Sequence, residues 1–405
     1  MCKKSDISAE KFVSSQNDLR QNQNIMRKII SLATLALLLA TATLTASAQE
    51  MMHIYPKTIK SGPFNTGHIQ GIAVDTEKGY VYYSYTTILV KTDLQGNIIG
   101  SVTGLLGHLG CIDFNEEDGR VYGSLEYKND VIGRGILKAL GKEQEIKDAF
   151  YIVMFDVDKI DRMDMDAEKD GVMTAVFLKE VYDDFKGTGL NKAGEVVAHK
   201  YGCSGIDGTT IGPMPGADDG KQYLFVTYGV YRDENRADND YQVMLCYDIA
   251  DWAQYEQPLT QEAMHRNGPA APTRKFFVFT GNTTYGVQNL EYDAYTNRFL
   301  MAVYRGFKPE YPNYDLYAVD AAVAPQVQDL QGLNEKGEVL TLAKAGKLHE
   351  ASGVYGWNFP HGSTGLWAKG DGTYLISENH VGKTGQCSYI YEYAYDEARG
   401  FVINQ

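Results

Sequence analysis

The chain has 405 residues, 44% of them hydrophobic, with 38 Lys and Arg against 52 Asp and Glu and a formal net charge of −14. That acidity argues against nucleic acid or anionic lipid as a main partner, because a phosphate-bearing surface is held by Lys and Arg that displace its counterions. Beyond one short N-terminal run, no segment approaches the ~20 apolar residues of a membrane-spanning helix.

In chain order, Arg27 and Lys28 precede an apolar run at 29–40, and Ala46, Ser47 and Ala48 form a small-residue cleavage site. This pattern predicts a secretory signal peptide from about Met26, with residues 1–25 as an upstream extension. The organisation expected is therefore 1–48 as extension and signal, and 49–405 as one domain that is exported to the periplasm or the exterior. Residues 1–48 hold six basic and three acidic side chains, so the remainder is more acidic still. A strand at 54–59 is expected to close the fold on its last repeat.

The next eighty residues repeat themselves. His68, Ile72, Gly79, Val81, Tyr82 and Ser84 return 40 positions later as His108, Ile112, Gly119, Val121, Tyr122 and Ser124. Weaker copies start at Cys203, Val287 and His361. Each unit carries four strand signals. The second strands are aromatic and β-branched, at 80–85, 120–125, 223–228, 299–304 and 374–377. The third strands end in Asp93, Asp156, Asp248, Asp320 and Asp396, residues that cap turns by bonding their own downstream backbone. Fourth strands are expected at 97–102, 172–178, 275–280, 338–342 and 400–403. Four-stranded antiparallel units around an axis make an all-β, five-bladed β-propeller, because each unit needs a stacked neighbour to bury its faces. Insertions at 128–150, 249–272 and 320–337 interrupt the pattern, the first with a charged helix over 134–149. Cys111, Cys203, Cys246 and Cys387 match no zinc spacing and read as small buried side chains; a disulfide, if formed, is expected to join Cys111 to Cys203.

The opening Gly71, Ile72, Val74 and Asp75 resembles the propeller repeats of the NHL and YVTN-like types. The resemblance covers nearly all of the chain after residue 48 and implies the fold alone, with no catalytic residue.

In a propeller, the loops entering strand one and those joining strands two and three open on one face. Entry loops would bring His68, Gln70, His108, Ser204, Asp207, Gln288, Asn289, Glu291, His361 and Thr364 there. The second-to-third loops would bring Glu126, Tyr228, Arg232, Tyr304, Arg305, Glu378, Asn379 and His380. So many polar groups near an axis predict a polar pocket, since buried charge is costly unless paired or functional. One reading is glycoside hydrolase or lyase chemistry, with Glu126 or Glu378 as proton donor and Asp207 as its partner. Gln70, Tyr228, Arg232, Gln288, Asn289, Tyr304, Arg305 and Asn379 would then bind a small molecule or glycan. A second reading gives His68, His108 and His361 to a divalent metal. A third is a non-catalytic propeller binding a glycan, peptide or protein. No oligomeric state is implied.

Overall fold

A computed structural model describes residues 58–60, 67–383 and 385–404. The expected signal peptide and extension lie outside the described residues. Five mainly antiparallel sheets, each led by an inner strand, succeed one another along the chain. The inner strands are Ile69–Asp75, His108–Asn115, Cys203–Pro213, Thr284–Asp293 and Leu366–Ala368. Each touches the next, and the fifth touches the first, so the sheets close into a five-bladed propeller.

Period-two alternation explains why the blades stack. On the second strand of blade three, Gln222–Val230, Leu224, Val226 and Tyr228 pack with blade two, while Phe225 faces Phe299 of blade four. Both faces are apolar because both are covered. Each fully buried side chain of this size contributes roughly 1.5–3 kcal/mol.

The repeated residues have identifiable tasks. Gly79 and Gly119 end the turn after the inner strand at φ +72° and +70°, where their N–H groups bond the carbonyls of Asp75 and Asn115; a side chain would be strained there. Ser84 donates to the carbonyl of Gly110 at 2.7 Å, and Ser124 to that of Asp207 at 2.6 Å. The recurrent serine is thus a latch from one blade to the next. Among the strand-three aspartates, Asp93, Asp248, Asp320 and Asp396 accept from backbone N–H groups of the following turn, as expected. Asp156 instead pairs with Lys159.

The last blade is built from both ends of the chain. Thr58–Lys60 and Gly400–Ile403 both pair with Gly385–Asp396, side by side along its outer edge. The expected closure by the N-terminal strand is present in the described part of that segment.

Two expectations need correction. The segment expected as the fourth strand of blade four divides. Lys336–Val339 adds in parallel to Arg274–Phe279 of blade three, and only Leu342 bridges to Val319 of blade four. The chain leaves blade four after Asp320, adds the hairpin Gln326–Asp329 with Lys336–Val339 to the edge of blade three, and returns to blade four only at Leu342. The charged helix starts and ends earlier, at Val131–Ala139 (α1), where Asp130 caps it by accepting from Gly133 N at 2.8 Å. As read from the sequence, Cys111, Cys203 and Cys246 are small buried side chains, free rather than joined in a disulfide, and Cys387 is free and partly exposed. A second helix, Lys179–Lys186 (α2), and the hairpins at 188–198 and 347–356 were not expected from the sequence.

Candidate functional site

The inner strands approach one another at the axis. Asn289 of blade four is buried there: its amide donates to the carbonyl of Gln70 at 2.7 Å, and its carbonyl accepts from Cys111 Sγ and from Leu366 N. One side chain thereby ties blades one, two, four and five together. Separate cavities lie beyond it. One, of about 570 Å³, is lined by Asp113, Glu291 and Trp367 at the turn ends of the inner strands. The other, of about 400 Å³, opens at the entry ends.

The entry-end cavity holds most of the polar residues expected together. His68, Gln70, His108, Glu126, Ser204, Asp207, Gln288 and Tyr304 line it, joined by Lys128, Tyr285 and one side of α1. His108 and Glu126 face each other in register across blade two, with Nδ1 and Oε1 3.7 Å apart. Lys128 follows Glu126 by two positions and so returns to the same side of the chain. Its ammonium pairs with Glu126 Oε1 and donates to the carbonyl of Ser204 at 2.6 Å. Glu126 Oε2 accepts from Ile206 N of blade three at 2.9 Å. This approach requires glycine at 205: a Cβ there would lie 1.9 Å from Oε2, on a backbone at φ +119°.

Asp207 sits where the inner strand of blade three is irregular, between Ile206 and Thr209. Its Oδ2 accepts from Gln288 Nε2 at 2.8 Å, and its buried Oδ1 has no partner, as is also true of His108 Nδ1. Such orphans are costly unless water or a ligand meets them. Burial pushes Asp207 well above the usual carboxylate range, and the charge of Glu126 adds to this. Burial also raises Glu126, to about 7, against the opposing pull of Lys128. His108 is driven down to about 3 by burial, then by Lys128 and His68, so it is neutral in ordinary buffers. The floor thus carries a paired carboxylate and ammonium beside a carboxyl that favours its proton.

At the rim stand Tyr285 and Tyr304, edge to face with ring centroids 6.0 Å apart. Tyr304 Oη lies 3.3 Å from His68 Nε2. Tyr285 is exposed and held at φ +66°, a left-handed conformation that a side chain disfavours and that clusters at working sites.

The other expected residues lie elsewhere. Glu378 accepts from Tyr393 Oη at 2.6 Å and lies 3.9 Å from His361 Nε2, so these two pair with each other outside the cavity. Asn379 accepts from Ser388. Arg305 forks onto Asp315, and Arg232 stacks 3.8 Å over Phe307 and reaches Glu234. Tyr228 is buried and donates to Asp184 of α2 at 2.7 Å. Asn289 is the axial tie rather than a lining residue. Glu291 lies in the opposite cavity, bonded to Ala368 N. With His361 removed from His68 and His108, the expected three-histidine shell does not assemble; among the described residues no three His, Cys, Asp or Glu side chains are grouped to hold a metal ion. Also among the described residues, no helix is long and apolar enough to cross a membrane.

Sequence reasoning placed a helix in the 128–150 insertion but named neither Lys128 nor that helix as cavity lining. The signal for Lys128 was available: the repeat places Thr86 opposite Glu126, so blade two departs from its template where charge enters.

No protein-family model matches the chain, and no curated protein matches its sequence. Among solved structures it is similar to the holo form of the pyranose dehydrogenase PQQ domain from Coprinopsis cinerea. The two are 10% identical with a TM-score of 0.26, and the match covers 82% of this chain and 95% of that one.

Proposed function

We propose that the entry-end cavity binds a small neutral, hydroxyl-rich molecule and cleaves a glycosidic bond in it. The observation that carries this reading is the pair of unlike carboxyls in one ligand-sized cavity. Asp207 is biased toward its protonated form by burial, and Glu126 is held beside Lys128. Two acids in unequal environments are what general acid and base roles require. In this scheme Asp207 gives its proton to the leaving oxygen as the C–O bond breaks. Water then adds to the sugar carbon, and its proton passes to Glu126. A value of about 7 suits a base working near neutrality. The amide of Gln288, the imidazoles and the rim tyrosines supply the polar and flat surfaces that sugars use.

A second reading, binding without turnover, is favoured by one feature. Both Glu126 oxygens already accept from the protein, from Lys128 and from Ile206. Each carboxylate oxygen retains a further lone pair, so the feature weakens the base role without removing it.

The test is turnover on a panel of glycosides by wild type, Asp207→Asn and Glu126→Gln. Loss of an acid or base is expected to lower turnover ~10²–10⁴-fold with binding largely kept. Binding of a glycoside by wild type without turnover, matched by Asp207→Asn, would establish the binding reading in place of the enzymatic one.

A further inference from the structure

The cavity has two unlike sides. His68, Gln70, His108, Glu126, Asp207 and Gln288 make a polar floor, while Ile132, Gly135, Ile136, Ala139 and Leu140 of the α1 segment make one wall. These wall positions follow the i, i+3, i+4, i+7, i+8 spacing of a single helix face. On a surface helix such a stripe normally packs into a core. Here Gly135 and Ala139 are exposed, and Ile132 and Leu140 are only half-buried, so the stripe is incompletely covered.

The wall is held in place. Asp130 caps the first turn and also accepts from Tyr231 Oη of blade three at 2.8 Å. Asn129 N donates to Asp148 Oδ1 at 2.8 Å, which joins the two ends of the insertion. A Cβ on Gly133 would lie 1.9 Å from the carbonyl of Lys128, so the helix starts directly against the residue that pairs with Glu126. A nine-residue helix has little stability alone. These anchors fix its apolar face over the polar floor.

We propose that the ligand of this cavity is amphipathic: a hydroxyl-rich part meets the floor and an apolar group seats against α1, with Gly135 setting the room for that group. On the reading proposed above, the substrates are glycosides with an apolar aglycone. Gly135 is informative because a Cβ there meets nothing within 4 Å. A side chain at this cavity-lining position therefore starts in open space, and the helix gains a better former than glycine.

The experiment uses the neutral fluorescent probe N-phenyl-1-naphthylamine. Wild type is expected to bind it saturably, one per chain, with raised emission. Gly135→Leu is expected to weaken binding at least about tenfold while its melting temperature is unchanged or higher. Val131→Ala, at a position 80% exposed on the helix, is expected to change neither. In a panel of phenyl glycosides and their methyl counterparts, at least one phenyl glycoside should displace the probe at a tenfold lower concentration than its methyl partner. Absence of saturable probe binding, or equal binding by Gly135→Leu, overturns the proposal, and so does glycoside turnover with a KM indifferent to the aglycone. If Gly135→Leu weakens probe binding and no glycoside competes, the apolar wall stands and the glycoside reading falls.

Discussion

Replacing Asp207 by Asn should stabilise the protein, and the gain should depend on pH. The carboxyl is buried, its Oδ1 has no partner, and its proton affinity is raised by burial and by Glu126. In the unfolded chain an aspartate titrates near its ordinary 3.8. For an acid whose folded pKa is raised, the folded state takes up a proton between the unfolded and folded values. The cost is absent below pH ~3.8, grows as pH rises, and levels off above the folded pKa. Each pH unit inside that window is worth about 1.36 kcal/mol. From 3.8 to pH 7 this gives at most about 4 kcal/mol, reached if the folded acid keeps its proton throughout. Asparagine is neutral and of the same shape, and its carbonyl can accept from Gln288 as Oδ2 does. Urea unfolding of wild type and Asp207→Asn at half-unit steps from pH 4 to 8 reads the difference directly. Curves that coincide near pH 4 and separate in favour of the variant toward pH 7 are expected. A variant less stable than wild type at pH 7, or a difference that does not change with pH, would refute the account of a buried, proton-retaining carboxyl.

Lys128→Met removes the cation that holds Glu126 down at about 7, so the carboxyl should keep its proton through pH 7; denaturant midpoints should show the variant losing stability relative to wild type as pH rises above 7, by up to about 3–5 kcal/mol, and the loss should shrink below pH 7 as Glu126 is protonated in both. Gly205→Ala places a Cβ 1.9 Å from Glu126 Oε2 at φ +119° and should lose at least about 1–3 kcal/mol from backbone strain alone. Tyr285→Gly relieves a left-handed φ, so stability should hold or rise by up to about 1 kcal/mol. Glycoside affinity should nevertheless fall several-fold as the rim loses an aromatic face, which calorimetry can separate from the stability effect. Ser124→Ala should lower stability by about 1 kcal/mol in thermal melts through loss of the blade-to-blade bond to Asp207.

The architecture was readable from the sequence because a propeller writes the same local physics several times. A glycine in the first turn of four blades, replaced in blade four by Asn297 at φ +52°, and the serine of the first two second strands recur, since the same backbone problem recurs. The fourth blade misled because its outer strand is short, and the preceding hairpin captured the edge of blade three instead. The floor of the cavity was partly readable. His68, His108, Glu126 and Asp207 follow from loop class, since the inner strands and blade-two loop point them to one end. Glu378, Asn379 and Arg305 share the loop class, yet they belong to longer strands or outer partners that carry them away from the axis. Asn289 looked like a ligand-binding amide because sequence does not reveal depth, and the same donor and acceptor pair serves equally to tie four blades. Wall residues such as Ile136 sat in an insertion with no repeat to compare against.

The position of Asn289 also bears on traffic. An open propeller axis would be a pipe, admitting molecules at one end and releasing them at the other. With blades one, two, four and five joined through this amide at the axis, the cavity becomes a cul-de-sac. Whatever enters at the entry end, between the rim tyrosines and α1, must leave by that end, and the water it displaces must pass it on the way out. For a two-part substrate, the fragment nearest the mouth has to depart before the deeper one can move. The sequence of release is then dictated by depth along the axis, independently of how tightly either fragment is held.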